Sequence, residues 1–161
     1  MNGATQRLSS LAVSAWVLGV LGALGAPSPS RAQPPKPIAT IETNMKAVGE
    51  LYECKRKQGV LTVKVRFKAT GGRTELDLPY DGTYVVDVAS GKKYAVLRDS
   101  DKAPLATTSQ FHNDRVREGL EPGAAFSAWW KFPAPPPTTK KITFVLPKSE
   151  PAEDVPITDA P

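Results

Sequence analysis

The sequence predicts an all-β domain, an antiparallel sandwich of about seven strands, on three observations. Apolar and polar residues alternate at period two in several short runs. Turn residues separate those runs at close spacing. Prolines avoid the middle of the chain, with five before Ile38, only Pro79 and Pro104 between Ile38 and Glu121, and nine from Pro122 onward. Because proline lacks the backbone donor of a central strand, a proline-poor stretch permits uninterrupted ladders.

The first stretch carries Arg7, then an apolar run from Leu11 to Ala26, and a small-residue exit through Ser30 and Ala32 before Gln33. That order predicts a secretory signal peptide over residues 1–32. The apolar run holds 16 residues, Ser14 and three glycines among them, which is short for a hydrocarbon layer of about 30 Å. No integral span is therefore expected after cleavage, an uncleaved anchor being the alternative. With Arg7 and Arg31 removed and no acid lost, the formal charge falls from +5 to +3. So mild a basicity does not point to nucleic acid.

Residues 33–37 read as a proline-rich lead-in, 38–158 as the sandwich and 159–161 as a tail. Ile38 to Thr43 and Ala47 to Cys54 are the first candidate strands. Val60 to Ala69 is the clearest: Leu61, Val63, Val65, Phe67 and Ala69 alternate with Val60, Thr62, Lys64, Arg66 and Lys68. Thr83 to Val88 and Lys93 to Arg98 flank Ala89-Ser90-Gly91, a three-residue hairpin loop with Gly91 at the left-handed position. That register sets Asp87 opposite Lys93 and gathers Tyr84, Val86, Tyr94 and Val96 on the other face. Helix signal is confined to Asn113 to Leu120, a turn or two with Asp114 on the cap side. Leu120-Glu121-Pro122-Gly123 is a turn that launches Ala124 to Phe132, with Phe126, Ala128, Trp130 and Phe132 on one face and Trp129 on the other. Pro133 to Pro137 makes a stiff connection, and Lys141 to Leu146 buries Ile142, Phe144 and Leu146.

Residue counts exclude several chemistries. Cys54 is the only cysteine and His112 the only histidine, so disulfide scaffolds and zinc modules are out. His112 has Asp114 nearby but no nucleophile elbow or oxyanion glycines, which predicts a solvated loop histidine. Asp99 and Asp101 lack the glycine and distal glutamate of a calcium loop and read as a turn. Asp77 and Asp81 could form a glycosidase pair, although Asp81-Gly82 reads first as a turn. Cys54 beside Lys55-Arg56-Lys57 is either a lowered-pKa thiol or a buried small hydrophobe. No enzyme, metal or cofactor is expected.

Two surface features carry the binding candidates. Lys64, Arg66 and Lys68 form a cationic row on the wet face of their strand, with Lys55-Arg56-Lys57 adding to it. Such a row suits an anionic partner such as cell-wall glycan or lipid headgroups, or else serves only to keep the sheet soluble. Trp129, between Ser127 and Lys131, is a stacking platform or lies covered by the proline segment or the tail.

The stretch Tyr94-Ala95-Val96-Leu97-Arg98-Asp99-Ser100-Asp101, the Leu120-Glu121-Pro122-Gly123 turn, Trp130-Lys131-Phe132-Pro133-Ala134-Pro135-Pro136, Lys141 to Pro147 and Glu153-Asp154-Val155-Pro156-Ile157 resemble bacterial secreted immunoglobulin-like domains of the telokin-like class. Relatives of that kind occur beside peptidoglycan-associated modules. Covering roughly residues 47–157, the resemblance brings no catalytic motif. It implies an exported, periplasmic or extracellular binding or structural module of the cell envelope, whose partner is an envelope protein or an anionic cell-wall glycan. The alternatives are a secreted carbohydrate-active enzyme using Asp77 and Asp81, a small-ligand carrier, or a redox or dimerising protein built on Cys54.

Overall fold

The structure, a computed structural model, describes residues 35–161. The signal peptide expected over 1–32 lies outside the described residues. Eleven strands and no helix make up the described chain, in agreement with the all-β expectation, although the strands outnumber the seven or so expected. No helix among the described residues is long and apolar enough to cross a membrane.

The first sheet grows from a hairpin of β2 (Ala47–Lys57) and β3 (Val60–Ala69). Gln58 and Gly59 close it with φ of 48° and 78°, the two left-handed residues that let a tight turn follow the twist of its strands. β1 (Ala39–Glu42) pairs with β2, and β8 (Ala125–Pro133) pairs along the length of β3. The β3–β8 register places Leu61 opposite Phe132, Val63 opposite Trp130 and Val65 opposite Ala128. All six are buried, so the alternation read from the sequence agrees with the structure on both strands. At Pro122-Gly123 the turn into β8 has Gly123 at φ 76° and the Ala124 N–H on the Glu121 carbonyl at 2.9 Å, a geometry that needs glycine third in a Pro-Gly turn.

A second sheet runs β10 (Ala152–Pro156), β9 (Lys141–Val145), β5 (Tyr84–Asp87), β6 (Lys93–Ala95). Its buried residues Val85, Ile142, Phe144 and Val155 join those of the first sheet in one core. Trp130 lies 5.7 Å from Phe144 and 6.5 Å from Phe67, and Phe132 lies 6.1 Å from Phe144, all tilted or edge-on. Each such aromatic, once buried, contributes about 1.5–3 kcal/mol. The tilted pairings add to this.

Three expectations need correction. The span Asn113 to Leu120 is not helical: β7 (Arg115–Leu120) pairs antiparallel with β4 (Thr74–Pro79), a strand that sequence reading missed. Val116 and Leu120 sit four residues apart, a spacing that fits one face of either element. The cross-strand pairs Arg115–Asp77 and Arg117–Glu75 are available only to the strand. The β5–β6 hairpin is shifted by one residue from the expected register, with Val85 rather than Val86 facing Tyr94. Asp87 causes the shift. Its carboxylate turns inward to accept the Ala89 N–H at 2.9 Å, the Ser90 hydroxyl at 2.8 Å and the Thr139 hydroxyl at 2.9 Å. The loop thereby lengthens to four residues, and a one-residue slip exchanges the two faces.

The third correction concerns Arg56, expected to add to the exposed cationic row. β2 carries a bulge between Leu51 and Glu53, which puts an extra residue into the strand and reverses the facing of all that follows. Cys54 and Arg56 therefore point inward. The Arg56 guanidinium donates to the carbonyls of Pro135 at 3.1 Å, Pro136 at 2.6 Å, Thr139 at 3.2 Å and Pro137 at 3.3 Å, and to the Asp159 carboxylate at 2.5 and 3.0 Å. It thus ties the proline connection to β11 (Thr158–Asp159), which runs parallel to β2. Asp159 and Ala160 are hydrogen-bonded to this edge, Ala160 through its N–H to the Arg56 carbonyl at 2.9 Å.

Candidate functional site

The outward face of β2, β3 and β8 is laid out in rungs set by strand register. Glu50, Arg66 and Ser127 form one rung, and Glu53, Lys64 and Trp129 the next. A third places Lys55, Thr62 and Lys131 across the same three strands. Tyr52 falls at the bulge between the first two rungs. Bulging lets Tyr52 and Glu53 both face outward although they are adjacent in sequence, and both are half-buried.

All four residues singled out in the sequence lie on this face, each of them partly exposed. Two of the three cations are paired: Lys64 reaches Glu53 at 3.0 Å and Lys68 reaches Glu50 at 2.6 Å. The second pair is diagonal, because Glu50 stands directly opposite Arg66 in the ladder. Arg66 consequently makes no salt bridge or side-chain hydrogen bond among the described residues. Surface pairs of this kind are worth under about 1 kcal/mol, so they leave Lys64 and Lys68 available to a ligand. Trp129 is held by its backbone, its N–H donating to the Thr107 hydroxyl at 2.8 Å. The Lys131 ammonium lies 5.7 Å from the centre of its ring, within cation–π range.

Short side chains among long ones hollow the face. Ala125 and Ser127 flank a depression of about 400 Å³ bounded by Pro35, Glu50, Tyr52 and Arg66. A second, of about 470 Å³, lies between Glu53, Thr62, Lys64, Trp129 and Lys131. Thr62 and Lys131 also border a third, of about 270 Å³, next to Lys57 and Gln58. Alternation from Leu51 turns Tyr52 outward, but the depression it lines depends on β8 lying beside β3, which local pattern does not show, and the bulge hides the outward turn of Glu53. Ser127 and Lys131 were visible as neighbours of Trp129 on the polar side of β8.

No family model, curated protein or solved structure matches this chain. The face and the other candidates must be judged by their own chemistry.

Asp77 accepts from Lys148 at 2.7 Å and Arg115 at 3.0 Å. The hydrogen bond from Lys148, with that from Arg115 behind it, holds its carboxyl below the ordinary value of 3.8. Such a group is a poor proton donor near neutral pH. Asp81 is exposed and pairs with Arg98 at 2.9 Å. Asp99 accepts the N–H groups of Asp101 and Ala103 at 3.0 and 2.8 Å, the turn expected of it. His112 lies in the turn between Ser109 and Arg115, bridged to Ser109. Cys54 is buried, and burial pushes its thiol up to about 12, so it is an inert packing group rather than a nucleophile. Among the described residues no cluster of His, Cys, Asp or Glu is arranged to hold a metal.

Asp77 makes a prediction about acid. A carboxyl with a depressed folded-state pKa adds stability above its unfolded pKa and loses it as pH falls through the folded value. The Asp77→Asn chain should therefore be less stable than wild type at neutral pH, with the gap closing as pH falls below the ordinary carboxylate value of about 4. Urea midpoints at several pH values would check this, and a gap that stays constant on acidification would contradict it.

Proposed function

We propose that the chain is an exported, non-catalytic immunoglobulin-like module of the bacterial cell envelope that binds an anionic cell-wall glycan on the outward face of β2, β3 and β8. The observation that carries this reading is the gathering of Trp129, Lys64, Arg66 and Lys68 on one hollowed sheet face, with Lys131 beside them. The immunoglobulin-like part is supported by two antiparallel sheets whose buried residues share the Trp130–Phe144 contact, the arrangement a sandwich requires. Export is supported by the composition of residues 1–32. The non-catalytic part is supported by the pinned state of Asp77 and the buried thiol of Cys54.

Retention of the protein on purified cell-wall glycan should be strong near 20 mM salt and weak near ~500 mM, since the Debye length shrinks several-fold over that range. The combined Lys64→Ala, Arg66→Ala and Lys68→Ala chain should lose retention, because Glu50 and Glu53 would be left without their lysines. Retention that ignores both salt and the triple substitution would overturn the proposal. Binding to an extracted envelope protein through this face, with no glycan bound, would replace the glycan by a protein partner.

A further inference from the structure

Resting on that reading, we propose that the face takes a glycan bearing carboxylates on its sugar rings, with one carboxylate on Arg66 and flanking rings on Tyr52 and Trp129. The arrangement begins on β2. Alternation from Leu51 turns Tyr52 outward and the bulge sets Glu53 beside it on the same face, so aromatic residues stand on both sides of β3, Tyr52 on β2 and Trp129 on β8. Two strand spacings separate them across the sheet, about 10 Å. Arg66 projects from the strand between them, in the depression that Tyr52 helps to line.

Arg66 is the cation on β3 best placed to bind an anion by two parallel hydrogen bonds. Its planar fork matches a carboxylate, and its cross-strand neighbour Glu50 is engaged by Lys68 instead. The choice of a carboxylate sugar over a phosphate or sulfate polymer follows from the acids nearby. Glu50 borders the same depression as Arg66, and Glu53 borders that of Trp129, Lys64 and Lys131. A dense or doubly charged anion would meet those carboxylates at short range. A ring with one negative charge and several hydroxyls would not, since hydroxyls donate to Glu50 and Glu53 while accepting from Lys64, Lys131, Ser127 and Thr62. The amphipathic aromatics supply flat surfaces for the C–H faces of sugar rings.

The test uses calorimetric titration of the full chain with a tetramer of galacturonic acid and with the same tetramer after its carboxyl groups are reduced to alcohols. The acidic tetramer should bind at least about tenfold more tightly, the range of a charge-assisted pair. Arg66→Ala should abolish that discrimination, and Arg66→Lys should restore only part of it. Tyr52→Ala and Trp129→Ala should weaken both tetramers alike. Lys93→Ala, on β6 of the other sheet, should change neither, and thermal melts would confirm that each chain folds. Equal affinity for the two tetramers, or discrimination that survives in Arg66→Ala, overturns the carboxylate anchor. If neither tetramer binds while cell-wall glycan is retained in a salt-sensitive way, this assignment fails alone. If neither binds and the glycan is not retained, the proposed function fails with it. Binding of poly-glutamate as tight as that of the acidic tetramer would also overturn the sugar assignment.

Discussion

Replacing Arg56 with alanine is expected to cost about 3 kcal/mol and to lower the thermal midpoint by roughly 10 °C. The magnitude comes from what the guanidinium leaves behind. Its side chain is 8% exposed, and it supplies hydrogen bonds to the carbonyls of Pro135 and Thr139, both in buried residues. A proline-rich connection cannot satisfy its own carbonyls by forming a helix, because proline breaks the ladder of donors. Each buried acceptor deprived of its donor costs about 1–3 kcal/mol. The same change releases β11, whose Asp159 carboxyl is held low chiefly by its hydrogen bond from Arg56. Arg56→Lys should recover little, since an ammonium cannot reach several carbonyls and a carboxylate from one planar fork. Asp159→Asn should do much less harm, because Asp159 is half exposed and the four carbonyl contacts would persist. Thermal and urea unfolding of the three chains would check the order, and an Arg56→Ala chain that melts like wild type would refute it.

How much of this was legible in the sequence depended on whether local pattern and tertiary partner agreed. In β3, β8 and β9 a period-two alternation runs unbroken over a strand buried on one side, so Leu61, Val63, Trp130, Phe132, Ile142 and Phe144 could be assigned to the core from spacing alone. β2 could not be read that way beyond Leu51. A bulge costs one residue and leaves no compositional mark, yet it turned Arg56 from an exposed cation into the clamp of the proline segment and brought Glu53 to the outer face beside Tyr52. β7 was misread because apolar residues at Val116 and Leu120 fit either period, and its partner β4 lies about forty residues earlier in the chain. In the β5–β6 hairpin, Gly91 was correctly placed in the left-handed region, but the inward turn of Asp87 toward Thr139 depends on a residue 52 positions away. The candidate face was half visible for the same reason. Trp129, Lys64, Arg66 and Lys68 follow from alternation, whereas the depressions and the freedom of Arg66 depend on which strand lies beside which.

Trp130→Ala is expected to cost about 3–5 kcal/mol, as truncation of a large buried aromatic does, while Trp130→Phe should cost far less than its change of volume suggests. Trp130 is fully buried against Phe67 and Phe144, so alanine would open a cavity between the two sheets. Phenylalanine keeps an aromatic ring at the centre of that cluster. It also removes the indole Nε1–H, which is buried with no hydrogen-bond partner among the described residues. A buried donor without a partner is a penalty of about 1–3 kcal/mol in the wild-type protein, and relief from it offsets much of the lost packing. The Trp130→Phe chain should therefore lie within about 1–2 kcal/mol of wild type. Urea unfolding separates the two substitutions, and a Trp130→Phe loss as large as that of Trp130→Ala would mean that packing, not the stranded donor, governs the site. Glycan binding supplies the complementary readout: alternation turns Trp129 away from this cluster, so Trp130→Phe should leave binding intact while Trp129→Ala weakens binding at little cost in stability.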